Sequence, residues 1–535
     1  MKTACVAIAV VAGAAVAAVG FARGTYAAGG SDSSCYALMA DAFAAGKLQP
    51  TSALVSQVPW PDAGKTFTPG GFVTSETHPS ASAPVCAPGF SVLLAPLIAV
   101  GGLDAIFVLT PIAAALLVWL TFVAGRAIAN PAAGAMAAVL VAFSPATLYQ
   151  VVQPMNDVTT AALWMATFVG LITRRWALAG LCCGLALLVR PNLLPLAVGA
   201  ALFAGIRDSG FGIRPATRFV VAAIPFGVLV LWLNSRLYGS PFRTGYGQLG
   251  DLFGLGAVPV NAANYFRWLV ETHTPFPLLA FAAPFAVARD KRGDAALAIG
   301  LILATCLIYF FYTPFDDWSY LRFLLPAIAL MIVLASAVIV HLVQYVVSGF
   351  PPPRQASADR RSPGEGRSLT VDLTRTVILT AITAALALFG VRTANDRLAF
   401  HLKFLEQRYR SAGLVVRDRL PESAVVLSVW DSGAVRFHGR KEALVWAGLD
   451  PAWLDRSLSW LDAHGHRPYI LVESWEEPAF RSRFGNDSDI GKLDWPPKYE
   501  IDRVVRIFDP KDRATYIRGE RVDTEFLWPV RESGK

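Results

Sequence analysis

The chain has 535 residues, of which 54% are hydrophobic and 16% charged, with a mean hydropathy of +0.47. So little charge does not cover the surface of a water-soluble protein of this length, which excludes that class. The net charge of +8 is scattered, with no basic stripe and interleaved aromatics, so nucleic acid is excluded as a partner.

Apolar blocks occupy 3–21, 104–125, 131–150, 157–173, 176–189, 191–206, 216–234, 275–289, 295–312, 320–346 and 374–391. Each is long enough, or nearly so, to cross a ~30 Å hydrocarbon layer, which predicts about eleven transmembrane helices. The run 89–101 is shorter and reads as re-entrant or interfacial. The first block follows Lys2 and precedes Tyr26-Ala27-Ala28-Gly29. From the residues alone it reads either as a cleaved leader or as a retained first helix.

Orientation follows from the short loops. With Lys2 inside, the inner loops hold Arg126, Arg174 and Arg175, then Arg207, Arg214 and Arg218, then Arg289, Lys291 and Arg292. Segment 347–373 adds Arg354, Arg360, Arg361 and Arg367 among Pro, Ser and Gly, and reads as a disordered cytoplasmic linker. The outer segments are then 22–103, 151–156, the Arg190-Pro191 hairpin, 235–274, 313–319 and everything after Val391. The expected organisation is a membrane domain over 1–346 with outer loop 22–103, the linker, a last span at 374–391, and an outer domain at 410–535. In that tail Ala424–Val429 and Pro468–Val472 read as buried strands, with helical spacing over Pro451–Ala463 between them. Strand, helix and strand predict a small soluble α/β domain.

Six cysteines form no metal signature, and a divalent metal is not indicated. Cys5, Cys182, Cys183 and Cys306 lie in apolar runs as core residues. Cys35 and Cys86 share the outer loop, where a disulfide is one reading in an oxidising compartment.

Polar residues of site-building types gather on the outer segments. Asp32 lies just past the first apolar block, close to Tyr36, and reads either as a general base or as the cap of a short helix running to Ala45. Asp157, in Gln153-Pro154-Met155-Asn156-Asp157, reads as an N-cap beside Asn156 or as a functional acid at membrane depth. Arg190 interrupts an apolar hairpin, where it either snorkels to the interface or meets a partner or an anion. The loop Tyr238–Gly247 brings Arg243 and Tyr246, and Phe315–Arg322 brings Asp316, Asp317, Trp318 and Arg322. Such aromatics form either an interfacial belt or, with acids and arginines, a sugar-phosphate site.

Together these stretches resemble the GT-C superfamily of membrane glycosyltransferases, over about 22–330. The resemblance is carried by Asp32, Tyr36 and Gly46, by Pro88-Gly89-Phe90 with Leu94 and Pro96, and by Ser144-Pro145 before Asp157. Gly184-Leu185-Ala186 with Arg190-Pro191, Tyr238-Gly239-Ser240-Pro241 with Gly245-Tyr246, and Trp318 with Arg322–Pro326 complete it. It implies a retained first helix and a catalytic Asp32. Many members carry Asp-Glu at this step; here Ser33 follows Asp32, so a second acid or metal ligand is missing there.

The resemblance implies an α-helical polytopic membrane protein that transfers sugar, with inversion, from a polyprenyl-phosphate carrier. The hydroxyl acceptor, on a lipid, glycan or protein, would be met at the outer face of a bacterial inner membrane, without nucleotide or cofactor. Asp32 would take the acceptor proton. Tyr36, Asp157, Arg190, Arg243, Tyr246, Trp318 and Arg322 would bind substrate, the arginines holding the phosphate. Two other expectations compete with this one: a transporter or flippase for a lipid-linked sugar, and a non-catalytic scaffold. The lack of an internal repeat and the one-sided polar residues speak against transport.

Overall fold

The computed structural model describes residues 2–207, 213–247, 249–348 and 365–528. Every apolar block forms helix, beginning with Lys2–Arg23 and ending with Glu365–Asp396. Among the described residues six helices are long and apolar enough to cross a membrane, and Pro131–Ala142 with Pro145–Val151, bent by 54°, makes a seventh if the pair is one span. Pro145 causes the bend: it has no N–H to continue the first helix, and Ser144 before it is extended. Four shorter apolar helices, Gly89–Gly101, Trp176–Val189, Pro191–Ile206 and Phe276–Ala286, accompany them, and the helix Asn156–Ile172 is buried among them. The largest apolar core has Phe122, Phe168, Tyr309 and the helix Leu325–Ser348 at its centre, whereas Gly89–Gly101 packs through Phe90 and Leu94 into a second core with Tyr36 and Met39 of the outer segment.

The outer loop is itself structured. It holds the helix Gly30–Ala44 and a hairpin of β1 (Phe72–Thr74) and β2 (Ser82–Pro84). A disulfide joins Cys35, on that helix, to Cys86, just ahead of the helix Gly89–Gly101. It ties the outer loop's first helix to the segment entering the bundle.

Two expected boundaries shift. Residues 365–373, read as linker, belong to the helix Glu365–Asp396, whereas the linker's 349–364 lies outside the described residues. The sheet region opens with the helix Leu402–Arg419, ahead of residue 410. Its six strands are β3 (Ala424–Leu427), β4 (Glu442–Leu444), β5 (Arg467–Glu473), β6 (Tyr499–Ile501), β7 (Val505–Phe508) and β8 (Glu525–Leu527), in the order β4-β3-β5-β7-β6-β8. β3 runs parallel to both β4 and β5, whereas β7 is antiparallel to β5 and β6.

Helices cover both faces of this sheet, which explains the continuous apolar runs of β3 and β5. Ala412, Val415 and Val416 of Leu402–Arg419 pack on Val426 and Leu471. On the other face Leu454, Leu458 and Phe480 pack on Val425 and Ile470. Leu54, Trp60 and Phe67 of the outer loop enter that second core, so the loop and the sheet region are packed together.

Candidate functional site

The helix Gly30–Ala44 starts where only glycine serves. Gly30 has φ +59°, and a Cβ on Gly29 would stand 2.2 Å from Cδ2 of Tyr409. Gly29 is the N-cap residue, and Asp32 sits in the first turn without capping the helix. Its carboxylate instead accepts from Arg322 Nη2 at 2.8 Å. Asp32 keeps 40% of its side chain exposed and Arg322 15%, so the acid reaches solvent while its partner is nearly covered. The guanidinium of Arg322 lies over the rings of Tyr320 (5.2 Å) and Phe323 (5.3 Å).

A second ion pair stands beside the first. Pro191 ends the helix Trp176–Val189 and leaves Arg190 at its end, where Nη2 donates to Asp157 Oδ1 at 2.5 Å and to Asn156 Oδ1 at 2.7 Å. Arg190 is 8% exposed and Asp157 fully buried, so the arginine does not snorkel to an interface. The helix Asn156–Ile172 has Met155 as its N-cap, so neither Asn156 nor Asp157 caps it. Arg190 lies 5.4 Å from the Phe323 ring, which thus lines both guanidiniums. Tyr309 stacks on the same ring at 5.0 Å and takes a hydrogen bond from Asn192 Nδ2.

Three polar atoms of this cluster are buried without a partner: Arg190 Nη1, Arg322 Nε and Asp157 Oδ2. Arg190 Nη1 and Arg322 Nε, two unused donors of guanidiniums that share the Phe323 ring, suit an anion of several oxygens. Tyr36 is buried edge-on against Phe90 at 5.0 Å, within electrostatic reach of Asp32, Arg190, Asp157 and Tyr246. Tyr246 senses Asp32, Arg322 and Arg190 in turn. Its loop approaches so closely that a Cβ on Gly245 would stand 2.1 Å from the Pro84 carbonyl oxygen.

Asp32, Tyr36, Asp157, Arg190, Tyr246 and Arg322 therefore come together, and two expected residues do not join them. Arg243 makes a bidentate pair with Glu76 at 2.6 and 2.9 Å on the exposed surface, so its fork is already filled. Trp318 is buried edge-on to Tyr149 (4.9 Å) under Arg397 (5.6 Å), one turn from Arg322, where it packs rather than lines the cluster. Asn156, Asn192, Tyr309 and Phe323 are members that sequence reasoning did not assign to a site. Asn192 in Arg190-Pro191-Asn192 and Phe323 in Arg322–Pro326 stood in quoted motifs, but nothing in the sequence marked them as neighbours.

The sheet region closes on the same place. Gly70 N donates to Ser432 Oγ at 3.0 Å, and a Cβ on Gly433 would stand 2.3 Å from that of Ser34. Ala28 N donates to His438 Nε2 at 3.0 Å, which requires that nitrogen unprotonated. Burial pushes the His438 imidazole down to about 3, which keeps it so.

No family model matches the chain, and no curated protein sequence matches it. Solved structures do. ArnT from Cupriavidus metallidurans bound to undecaprenyl phosphate superposes with a TM-score of 0.54 at 13% identity, over 89% of this chain and 94% of that one. The apo state of the same enzyme gives 0.53 at 14% identity, over 93% and 97%. The apo oligosaccharyltransferase of Archaeoglobus fulgidus gives 0.50 at 12%, over 92% of this chain and 73% of its own.

Proposed function

We propose that this chain, a multi-pass membrane protein with the GT-C fold, is a glycosyltransferase that takes a sugar from a polyprenyl-phosphate carrier. The observation that carries the reading is the pair of guanidiniums that share the Phe323 ring, Arg190 and Arg322, with buried unused donors, the second of them bonded to the half-exposed carboxylate of Asp32. The likeness in fold to an enzyme that binds undecaprenyl phosphate supports it.

In the reaction, the acceptor O–H gives its proton to Asp32 as its oxygen bonds to the anomeric carbon. The bond from that carbon to the phosphate oxygen breaks with its electron pair, leaving polyprenyl phosphate. A single displacement of this kind inverts the anomeric centre. Arg322 and Arg190 hold the leaving phosphate, where charge develops. Asp157 and Asn156 fix Arg190 through Nη2 and leave Nη1 for the substrate. Tyr36 and Tyr246 flank the sugar.

Asp32 pairs with a guanidinium and is followed by Ser33 rather than by a second acid, so this reading invokes no divalent metal. Excess EDTA should leave turnover unchanged. The reading places the site on the outer face of a bacterial inner membrane, so alkaline phosphatase fused after Lys535 should be active. Mass spectrometry of envelope glycans tests the activity itself. A deletion strain should lose one sugar from a glycan, and wild type but not Asp32→Asn should restore it. Unchanged glycans in the deletion strain would end the proposal.

A further inference from the structure

Two exposed tryptophans crown the sheet region where the function above leaves them unused. Trp430 is 47% exposed and Trp475 53%, and their rings meet edge to face at 5.4 Å. They follow β3 and β5, which run parallel, so both stand at the carboxyl ends of adjacent strands. That edge is where open α/β sheets bind ligands.

The loops beneath are built to hold the rings. Trp475 Nε1 donates to Glu473 Oε2 at 2.7 Å. Glu476 accepts from the backbone N–H of Glu473 (3.0 Å) and of Trp430 (3.4 Å), which ties the two loops into one piece. Arg408 Nε reaches both oxygens of Glu473, at 3.0 and 3.1 Å. Asp431, fully buried between these groups, has no partner for either oxygen. Burial, with Glu473 and Glu476 beside it, raises its carboxyl well above the usual range and holds it neutral. The cluster's arginine, Arg408, is already paired with Glu473, so it does not draw an anionic ligand. A neutral ring with apolar C–H faces and many hydroxyls fits.

From this geometry we infer that Trp430 and Trp475, over Arg408, Glu473 and Asp431, bind a saccharide. Its position makes it an acceptor subsite, an assignment that rests on the transferase reading. The same piece adjoins the turn that carries Asp32. Glu406 Oε2 stands 2.8 Å from where a Cβ of Gly29 would be, and Gly433 abuts Ser34. A glycan held by the tryptophans would thus lie on the piece of the molecule that packs against the turn carrying Asp32.

The test uses the full chain in lipid nanodiscs on an array of oligosaccharides released from bacterial envelopes. Wild type should bind a defined subset, and Trp430→Ala with Trp475→Ala should lose about tenfold or more in affinity, the scale of a truncated aromatic anchor. Trp475→Phe, which keeps a ring, should bind within a few-fold of wild type and guards against misfolding of the double variant. Asp32→Asn should bind as wild type does. Should Asp32→Asn also keep transferring sugar, the catalytic reading fails while the subsite stands. Wild-type affinity in a folded double variant, or no glycan bound by wild type, would overturn the subsite. So would tryptophan fluorescence that answers to lipid and not to glycan, which would make the pair a membrane anchor.

Discussion

Two charged clusters lie on either side of the turn at Gly29, and their charge balance differs. The membrane-side cluster sets Asp32 and Asp157 against Arg190 and Arg322, with two guanidinium nitrogens and one oxygen of Asp157 left over. The sheet-side cluster sets Asp431, Glu473 and Glu476 against Arg408, with carboxyl oxygens left over. Spare donors call for an anion; spare acids, partly held neutral, call for hydroxyls. One wall thus offers a place for a carrier phosphate and, beside it, a place for an uncharged glycan.

The largest structural effect should come from breaking the buried pair on the membrane side. Asp157→Ala leaves Arg190 buried without its counter-ion, which should cost about 3–5 kcal/mol. A fall in melting temperature in detergent, well beyond that of any surface variant, checks this. A wild-type melt would mean that the arginine finds another partner and the cluster is not preorganised.

Arg190→Lys sharpens the same point, since it keeps the charge but loses the fork. The arginine serves Asp157 and Asn156 with one nitrogen and leaves the other free, which an ammonium at the same place does less well. Affinity for undecaprenyl phosphate in nanodiscs should fall about tenfold while the melting temperature changes little. Normal affinity would reduce Arg190 to a structural counter-ion.

On the sheet side, pH separates the clusters. Asp431 is held above its unfolded value, and Glu476 is raised by burial to about 7. Groups shifted this way stabilise the fold fully below their unfolded values, and that stability is lost as pH rises through the folded ones. His438, pushed down to about 3, works in the opposite sense: its contribution is present above about 6.5 and is lost as pH falls. From the acids alone, melting temperature should drop between pH 5 and pH 8, and Asp431→Asn should flatten that drop. A slope unaffected by the substitution would place the titration elsewhere.

The smallest effect belongs to Arg243→Ala. Its pair with Glu76 is exposed on both sides, and such pairs contribute roughly 0–1 kcal/mol. Sugar transfer should stay within about twofold, because the residue lies outside the cluster whose donors are proposed to bind phosphate. A loss as deep as that of an Arg322 variant would return Arg243 to the site.

Much of the membrane side was legible in the sequence. Asp32, Asp157, Arg190 and Arg322 stand out because a charge next to a long apolar block is costly unless it has a purpose. Their pairing was not legible, since Asp32 and Arg322 are 290 positions apart and meet only through the packing of a helix start against a later turn. Arg243 and Trp318 look the same in sequence as the residues that do converge. An interfacial Arg beside Gly and aromatics carries no mark of whether a Glu already fills its fork.

In the tail, β3 and β5 announce themselves as apolar runs, whereas β4, β6, β7 and β8 are short and each carry a charge, Glu442, Glu500, Arg506 and Glu525. The helix Leu402–Arg419 hides behind Lys403, Arg408, Arg410 and Arg417 on its polar side. Glu473-Ser474-Trp475-Glu476-Glu477 reads as a solvated loop. Only the parallel pairing of β3 and β5 brings Trp475 to Trp430 and buries the acids between them.

The central claim is that Asp32 takes a proton from the acceptor. Asp32→Asn tests it most directly, because asparagine keeps the size and a hydrogen-bonding oxygen toward Arg322 but accepts no proton at neutral pH. General-base catalysis contributes about 10²–10⁴-fold, so sugar transfer should fall at least about a hundredfold. Expression, melting temperature and undecaprenyl phosphate binding should stay near those of wild type. Wild-type turnover in Asp32→Asn, with only stability lost in Asp32→Ala, would make Asp32 a structural partner of Arg322 and contradict the account.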